Sequence, residues 1–221
     1  MPANQEPIFV SKWRSQPKTL RPADASACAV SFLAGANGSR VHAMNISSSD
    51  TSARDVIQFH GVATTLASAC GTVQYATTTT LSRTVGSFVT DGWVVGDRMI
   101  PIGSTTRSND NQRTITAVTA TLLTFTETVT TETIPSNAIL YKATQITQHN
   151  IPVTAGYLNT AKSVDGLLDN NASVDPAPNR YMTLGGLVSG FNVAPDAIIV
   201  AMASTITAAK QVDITTYCGD Y

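Results

Sequence analysis

The stretch "DGWVVGDRMIPIG", from Asp91 to Gly103, sets Gly92, Gly96 and Gly103 beside Asp91 and Asp97 among valines and isoleucines. Such a run could do chemistry if its backbone amides cradled an anion, an arrangement usually completed by a helix N-terminus. The glycine spacing fits neither GxxxxGKS/T nor GxGxxG, and no helical periodicity follows. The architectural reading is preferred: a turn, a short strand carrying Trp93 and Val95, then a second turn at Gly96 and Asp97.

The other candidates for chemistry are equally thin. Ser189 in "GLVSG" occupies the wrong slot for a nucleophile elbow. His42, His60 and His149 lie on separate segments without metal-binding spacing. His42 is expected half-buried on the strand face of Met44 and Ile46, with His60 and His149 on polar faces. "SNDNQR" and "LLDNNASVD" offer oxygen ligands but do not fit a calcium loop, and Asn and Asp serve turns in their own right. Cys28, Cys70 and Cys218 form neither a zinc motif nor a disulfide framework and read as buried free thiols. Paired glycosidase carboxylates need not be close in sequence. Yet the 15 acidic residues fall mostly in apparent turns, and aromatics at 6% are few for a sugar cleft. No catalytic residue, cofactor or metal is expected, and the chain reads as a non-enzyme.

Whatever does the work must therefore be positioned by strands. Threonine is roughly one residue in seven and valine is abundant, a composition suited to pleated, half-buried surfaces. Hydrophobic content of 43% argues against disorder. Charged residues are 13% and the formal net charge is −1, so the basic footprint of a nucleic-acid binder is missing. The longest apolar run, "APDAIIVAMAS", is too short for a membrane-spanning helix. The start, "MPANQEPIFV", lacks the pattern of a secretory leader, so the expected place of synthesis is the cytosol, with neither membrane nor direct nucleic-acid contact.

Residues 1–25 read as an extended N-terminal arm. Pro2, Pro7, Pro17 and Pro22 exclude a helix and a central strand. Lys12, Arg14, Lys18 and Arg21 face only Glu6 and Asp24, while Ile8, Phe9, Val10 and Trp13 are too apolar for a free tail. The arm is expected to dock on its own domain or on another chain, with Phe9, Lys12, Trp13, Arg14, Lys18 and Arg21 as candidate contacts. Two β runs follow in "ACAVSFLAGANGSRVHAMNIS", joined by a turn around Gly35, Asn37 and Gly38. In "DVIQFHGV", Ile57 and Phe59 alternate with Gln58 and His60, which predicts one buried and one wet face.

From Thr77 to Thr144 the texture changes to dense threonine and short strands: "SFVT", "RMIPIG", "RTITAVT", "TLLTFTE" and "AILYKAT". "RTITAVTATLLTF" predicts a hairpin turning near Ala120 and Thr121. Beyond this module, "YLNTAKSVDGLLDNN" is the one helical candidate, and "AIIVAMASTIT" and "KQVDITTYCGDY" read as two final strands. Roughly seven or eight strands flank the module, as in a sandwich or jelly roll. The expectation is an all-β chain with a jelly-roll-like β-sandwich (26–76 plus 145–221), an inserted small β-barrel (77–144) and the arm.

"ANQEPIF", "FLAGANGSRVHAMNISSSDTSARDVIQF", "DPAPNRYMTLGG" and the terminal "GDY" resemble a group of jelly-roll virion proteins of tailed bacteriophages that decorate, or cement, the capsid. "DGWVVGDRMIPIG" followed by "RTITAVT" is similar to small β-barrels inserted in phage head and tail proteins. The resemblance implies a structural role on the outer capsid surface, with major capsid protein as partner and a homotrimer as the assembled form. A tail or neck component, a host-surface lectin using the inserted barrel, and a hydrolase with paired acids remain as alternatives.

Overall fold

The structure is a computed structural model that describes residues 12–24, 27–151, 164–165 and 191–221. These residues are all-β, with helical geometry confined to three-residue 3-10 turns. Among them no helix is long and apolar enough to cross a membrane. The smaller, five-stranded sheet runs β1 (Lys12–Leu20), β15 (Val212–Asp220), β3 (Ser39–Ser48), with β12 (Val164–Asp165) and β13 (Phe191–Val193) both paired to β3. The ten-stranded sheet begins β10 (Glu132–Thr133), β5 (Val73–Thr77), β6 (Thr80–Arg83), β9 (Leu122–Phe125), β8 (Arg113–Val118). It continues β7 (Arg98–Ile102), β11 (Ile139–Ile151), β4 (Arg54–Leu66), β14 (Ile198–Ala203), β2 (Ala29–Leu33).

The sandwich core lies where these sheets face each other. Leu20, Ile46, Val212 and Ile214 of the small sheet pack on Ala29, Val56, Ile151, Ala201 and Ala203 of the large one. Val41, Met44 and Cys218 meet Phe32 and Ile199 in a second cluster of the same layer. The turn through Gly35 and Gly38 does join two strands, but β2 and β3 enter opposite sheets, as do the closing pair β14 and β15. A short connection that changes layer is how a sandwich closes around its core.

The Thr-rich module has its own interior, formed by Tyr75, Leu81, Phe88, Trp93, Met99, Ile115, Leu123, Phe125 and their neighbours. The predicted hairpin is β8–β9, in the register Ile115↔Phe125 and Val118↔Leu123. Val73 and Tyr75, which precede the expected boundary at Thr77, pack in this interior. β4 and β11 pair along their whole length, from Leu66↔Ile139 to Arg54↔Ile151, so these two strands carry the chain from the sandwich into the module and back.

Several expectations are corrected. "SFVT" and Trp93–Val95 are turns and irregular chain, because Gly86, Gly92 and Gly96 bend the backbone at positive φ too often for pairing. Gln58 is fully buried rather than wet, since the small sheet covers that face and its amide reaches the Met44 sulfur at 3.2 Å. His42 does not share the face of Met44 and Ile46. A register shift between Tyr217 and Cys218 pairs them with Ala43 and Val41, so His42 is the extra residue of a bulge. The helix expected over 157–171 lies outside the described residues except at Val164–Asp165, which pair with Ile46 and Asn45 as a strand.

Candidate interaction surface

β1 positions the candidate contact residues. It lies antiparallel to β15 from Lys12↔Asp220 to Leu20↔Val212, and its other edge is unpaired among the described residues. Pro17 fits there because an edge strand needs no donor on its open side. Alternation turns Trp13, Ser15 and Pro17 outward, while Arg14, Gln16, Lys18 and Leu20 turn toward the protein.

Arg14 is an internal clasp. Its Nε lies 2.7 Å from Asp220 Oδ2, its Nη2 donates to Leu33 O at 2.7 Å, and the guanidinium stands 5.4 Å from the Phe32 ring centre. Asp220 also accepts from Ser39 Oγ at 2.5 Å. Burial pushes the Asp220 carboxyl up, but the Ser39 hydrogen bond and the Arg14 charge outweigh it and hold it below the usual carboxylate range.

Gln16 does something the sequence did not announce. Its Nε2 donates to Leu33 O at 2.9 Å and its Oε1 accepts from Leu33 N at 2.9 Å. β2 is the last strand of the large sheet, so the Gln16 carboxamide occupies its edge as the peptide of a further strand would. Exposed edges invite pairing with other chains, and covering them is a standard defence.

Trp13 faces the other way. It is 66% exposed, with its ring centroid 4.6 Å from that of His42. Burial first, and then the Arg40 charge, lower the His42 pKa below the ordinary imidazole value. Tyr217, opposite Ser15 on the same outer face, is also exposed. Of the remaining candidates, Lys12 and Arg21 are exposed, Lys18 is half-buried, and Phe9 lies outside the described residues. The strand thus separates two of the candidates: Trp13 is presented outward, and Arg14 is committed inward.

A second outward surface lies on the module, in the loop that opens with Thr84 and ends at Asp97. Arg83 Nη1 meets Asp91 Oδ2 at 2.5 Å, and its Nε donates to Val85 O at 2.6 Å. Thr65 Oγ1 donates to Asp91 at 2.7 Å and accepts from Trp93 Nε1 at 3.0 Å. Lys142 closes the far end, 2.7 Å from Asp97 Oδ2 and 2.8 Å from Gly92 O. On this braced frame Val85, Val89, Val94 and Val95 are each more than half exposed. Sequence alternation missed them because irregular chain has no period; the available signal was four valines among turn residues.

The amides of this loop are not a vacant cradle. Gly92 N donates to Val89 O, Trp93 N to Phe88 O and Gly96 N to Ile115 O, and Val94 N donates to the Asp97 carboxylate. Gly92 and Gly96 have φ of +85° and +91°, and a Cβ added at either would meet nothing within 4 Å. They are required for backbone handedness and not for close approach. Cys28, Cys70 and Cys218 are free and buried, and burial pushes the Cys28 thiol up to about 12. Among the described residues no three of His, Cys, Asp and Glu gather to hold a metal. Comparison with protein-family models, curated proteins and solved structures found no match.

Proposed function

We propose that this chain is a structural protein of a tailed-bacteriophage virion, attached to the outer capsid surface as a decoration protein that bridges and steadies major capsid protein subunits. It acts as a homotrimer and performs no catalysis. The observation that carries the reading is the division of labour among side chains. Arg14, Arg54 and Arg83 are tied into internal ion pairs. Large apolar groups are presented outward at two separate places, Trp13 with Tyr217 and the four valines of the module. Contacts made at several points on an inflated shell reinforce one another through effective concentration.

Purified particles should carry hundreds of copies, and particles lacking the protein should burst at lower temperature or under milder osmotic shock. A copy number near six or twelve would instead favour a tail or neck component, which is the reading to adopt in that case.

A further inference from the structure

The outward face of the small sheet carries two exposed aromatic rings with a cation beside them, and the strand register fixes their layout. Gly219 of β15 stands opposite Trp13 of β1 on one side and Arg40 of β3 on the other. The next outward row is Ser15, Tyr217 and Ala43. β1 and β3 are two strand spacings apart, roughly 9–10 Å, yet the Trp13 and His42 ring centroids lie 4.6 Å apart. The indole therefore leans across β15, and Gly219, which it crosses there, has no side chain to obstruct it. Trp13 remains 66% exposed and Tyr217 46% exposed. Diagonal neighbours on adjacent strands stand about 7–8 Å apart. That is the width of a flat ring in contact on both sides, because carbon contacts are about 3.5–4 Å.

Arg40 is half-buried and makes no ion pair among the described residues. Asp220 faces the other way, held by Arg14 at 2.7 Å and Ser39 at 2.5 Å. Asp213, on the outward face of β15, lies about 20 Å from Gly219 along the strand and binds Thr19 and Gln211. Trp, Tyr and Arg are the residue types most enriched where binding energy concentrates in protein interfaces. Proline-rich segments dock on neighbouring aromatics because their extended helix is formed in advance and little entropy is lost. We propose that this face binds an extended, proline-containing segment of a partner protein that also carries a carboxylate. A pyrrolidine ring lodges between Trp13 and Tyr217, and the carboxylate meets Arg40. This names the chemistry of what Trp13 and Tyr217 grip; it rests on the virion reading for the identity of the partner, and on the sheet face alone for the segment.

The test titrates the full chain with a nonapeptide of repeating Glu-Pro-Pro, against nonapeptides of Lys-Pro-Pro and Glu-Ala-Ala and against maltohexaose. Trp13 is exposed and Trp93 buried, so a saturable blue shift of tryptophan emission reports the site. The Glu-Pro-Pro peptide should bind, and the Lys-Pro-Pro peptide should bind at least about tenfold more weakly, as expected of like charges juxtaposed at an interface. Tyr217→Ala should weaken Glu-Pro-Pro binding roughly tenfold, the scale of an interface anchor, and Arg40→Gln should remove the preference for Glu over Lys. Both variants should keep the parent's unfolding midpoint. The proposal is overturned if Glu-Pro-Pro gives no saturable shift, or if Glu-Ala-Ala or maltohexaose matches it. It is equally overturned if Tyr217→Ala binds as the parent does, or if Arg40→Gln retains the charge preference. Peptide binding by a chain absent from particles would keep this site and remove the virion reading; attachment to particles without peptide binding would do the reverse.

Discussion

Asp50 has no exposed surface, yet it sits as a carboxylate at the hub of a dense set of donors. Arg54 Nε and Nη2 reach it at 2.8 and 3.1 Å, Thr207 N and Oγ1 both at 2.8 Å, and Ser52 N at 3.0 Å. Burial raises its pKa, but the Arg54 and Thr207 bonds outweigh that and hold the carboxyl far below the usual range. A carboxylate with a depressed folded pKa contributes stability that is present above the unfolded value, about 3.9, and lost as pH falls below it. The urea midpoint should therefore drop steeply below about pH 4. Asp50→Asn should start about 3–5 kcal/mol less stable, because Arg54 loses its partner, and should show a shallower acid loss. Equal slopes for the two proteins would refute the assignment. At Gly96 the demand is for positive φ in open space, so Gly96→Ala should cost about 1–2 kcal/mol. Gly96→Asn should cost less, as read from thermal unfolding, because Asn tolerates this conformation better.

Strands and turns were legible in the sequence to the degree that their cause is local. The β8–β9 hairpin was visible because alternation and turn residues lie within one short stretch. Whether a turn joins partners in one sheet or crosses between sheets depends on what covers each face. That is why β2 and β3, and β14 and β15, gave no sign of their separation. Gln58 was misjudged for the same reason. β1 illustrates the opposite limit: the prolines correctly denied it a central place, but the mutual fit of Gln16 with Leu33 could only be seen in three dimensions. Its role can be tested directly. Leu20 is fully buried, so Leu20→Ala should cost about 2–5 kcal/mol, and deleting residues 1–20 should lower stability further. Gln16→Ala should mainly raise concentration-dependent self-association, detectable by analytical ultracentrifugation, by freeing the edge of β2. Trp13→Ala should change stability by no more than about 0.5 kcal/mol, and the proposed capsid role requires that it weaken attachment to particles. A large stability loss there would mean that Trp13 serves the fold alone.

Across the whole molecule, the module's core and the sandwich core are separate clusters of buried side chains, linked by β4 and β11 and by a further cluster in which Ile100 and Ile102 of β7 pack with Cys28, Phe59, Ile198 and Val200. The Leu66↔Ile139 pairing brings the two ends of the insertion side by side. Replacing residues 68–137 with an Asn-Gly turn should therefore give a shortened chain that still folds, since that dipeptide favours a tight hairpin. Circular dichroism should show retained β structure with a lower melting temperature, because β7 no longer pairs with β11. Collapse to a disordered chain would show that the sandwich depends on its insert.

The register Lys12↔Asp220 ties the order of assembly to protein synthesis. All residues of the module's interior, Ala67 to Leu140, can emerge from the ribosome and pack before β15 has been translated. The small sheet cannot form until β15 arrives, because it lies between β1 and β3. During that interval the nascent chain displays β2 without the Gln16 cover and β1 without a neighbour. Ribosome stalling before residue 212 should therefore produce a protease-resistant module attached to a protease-sensitive remainder.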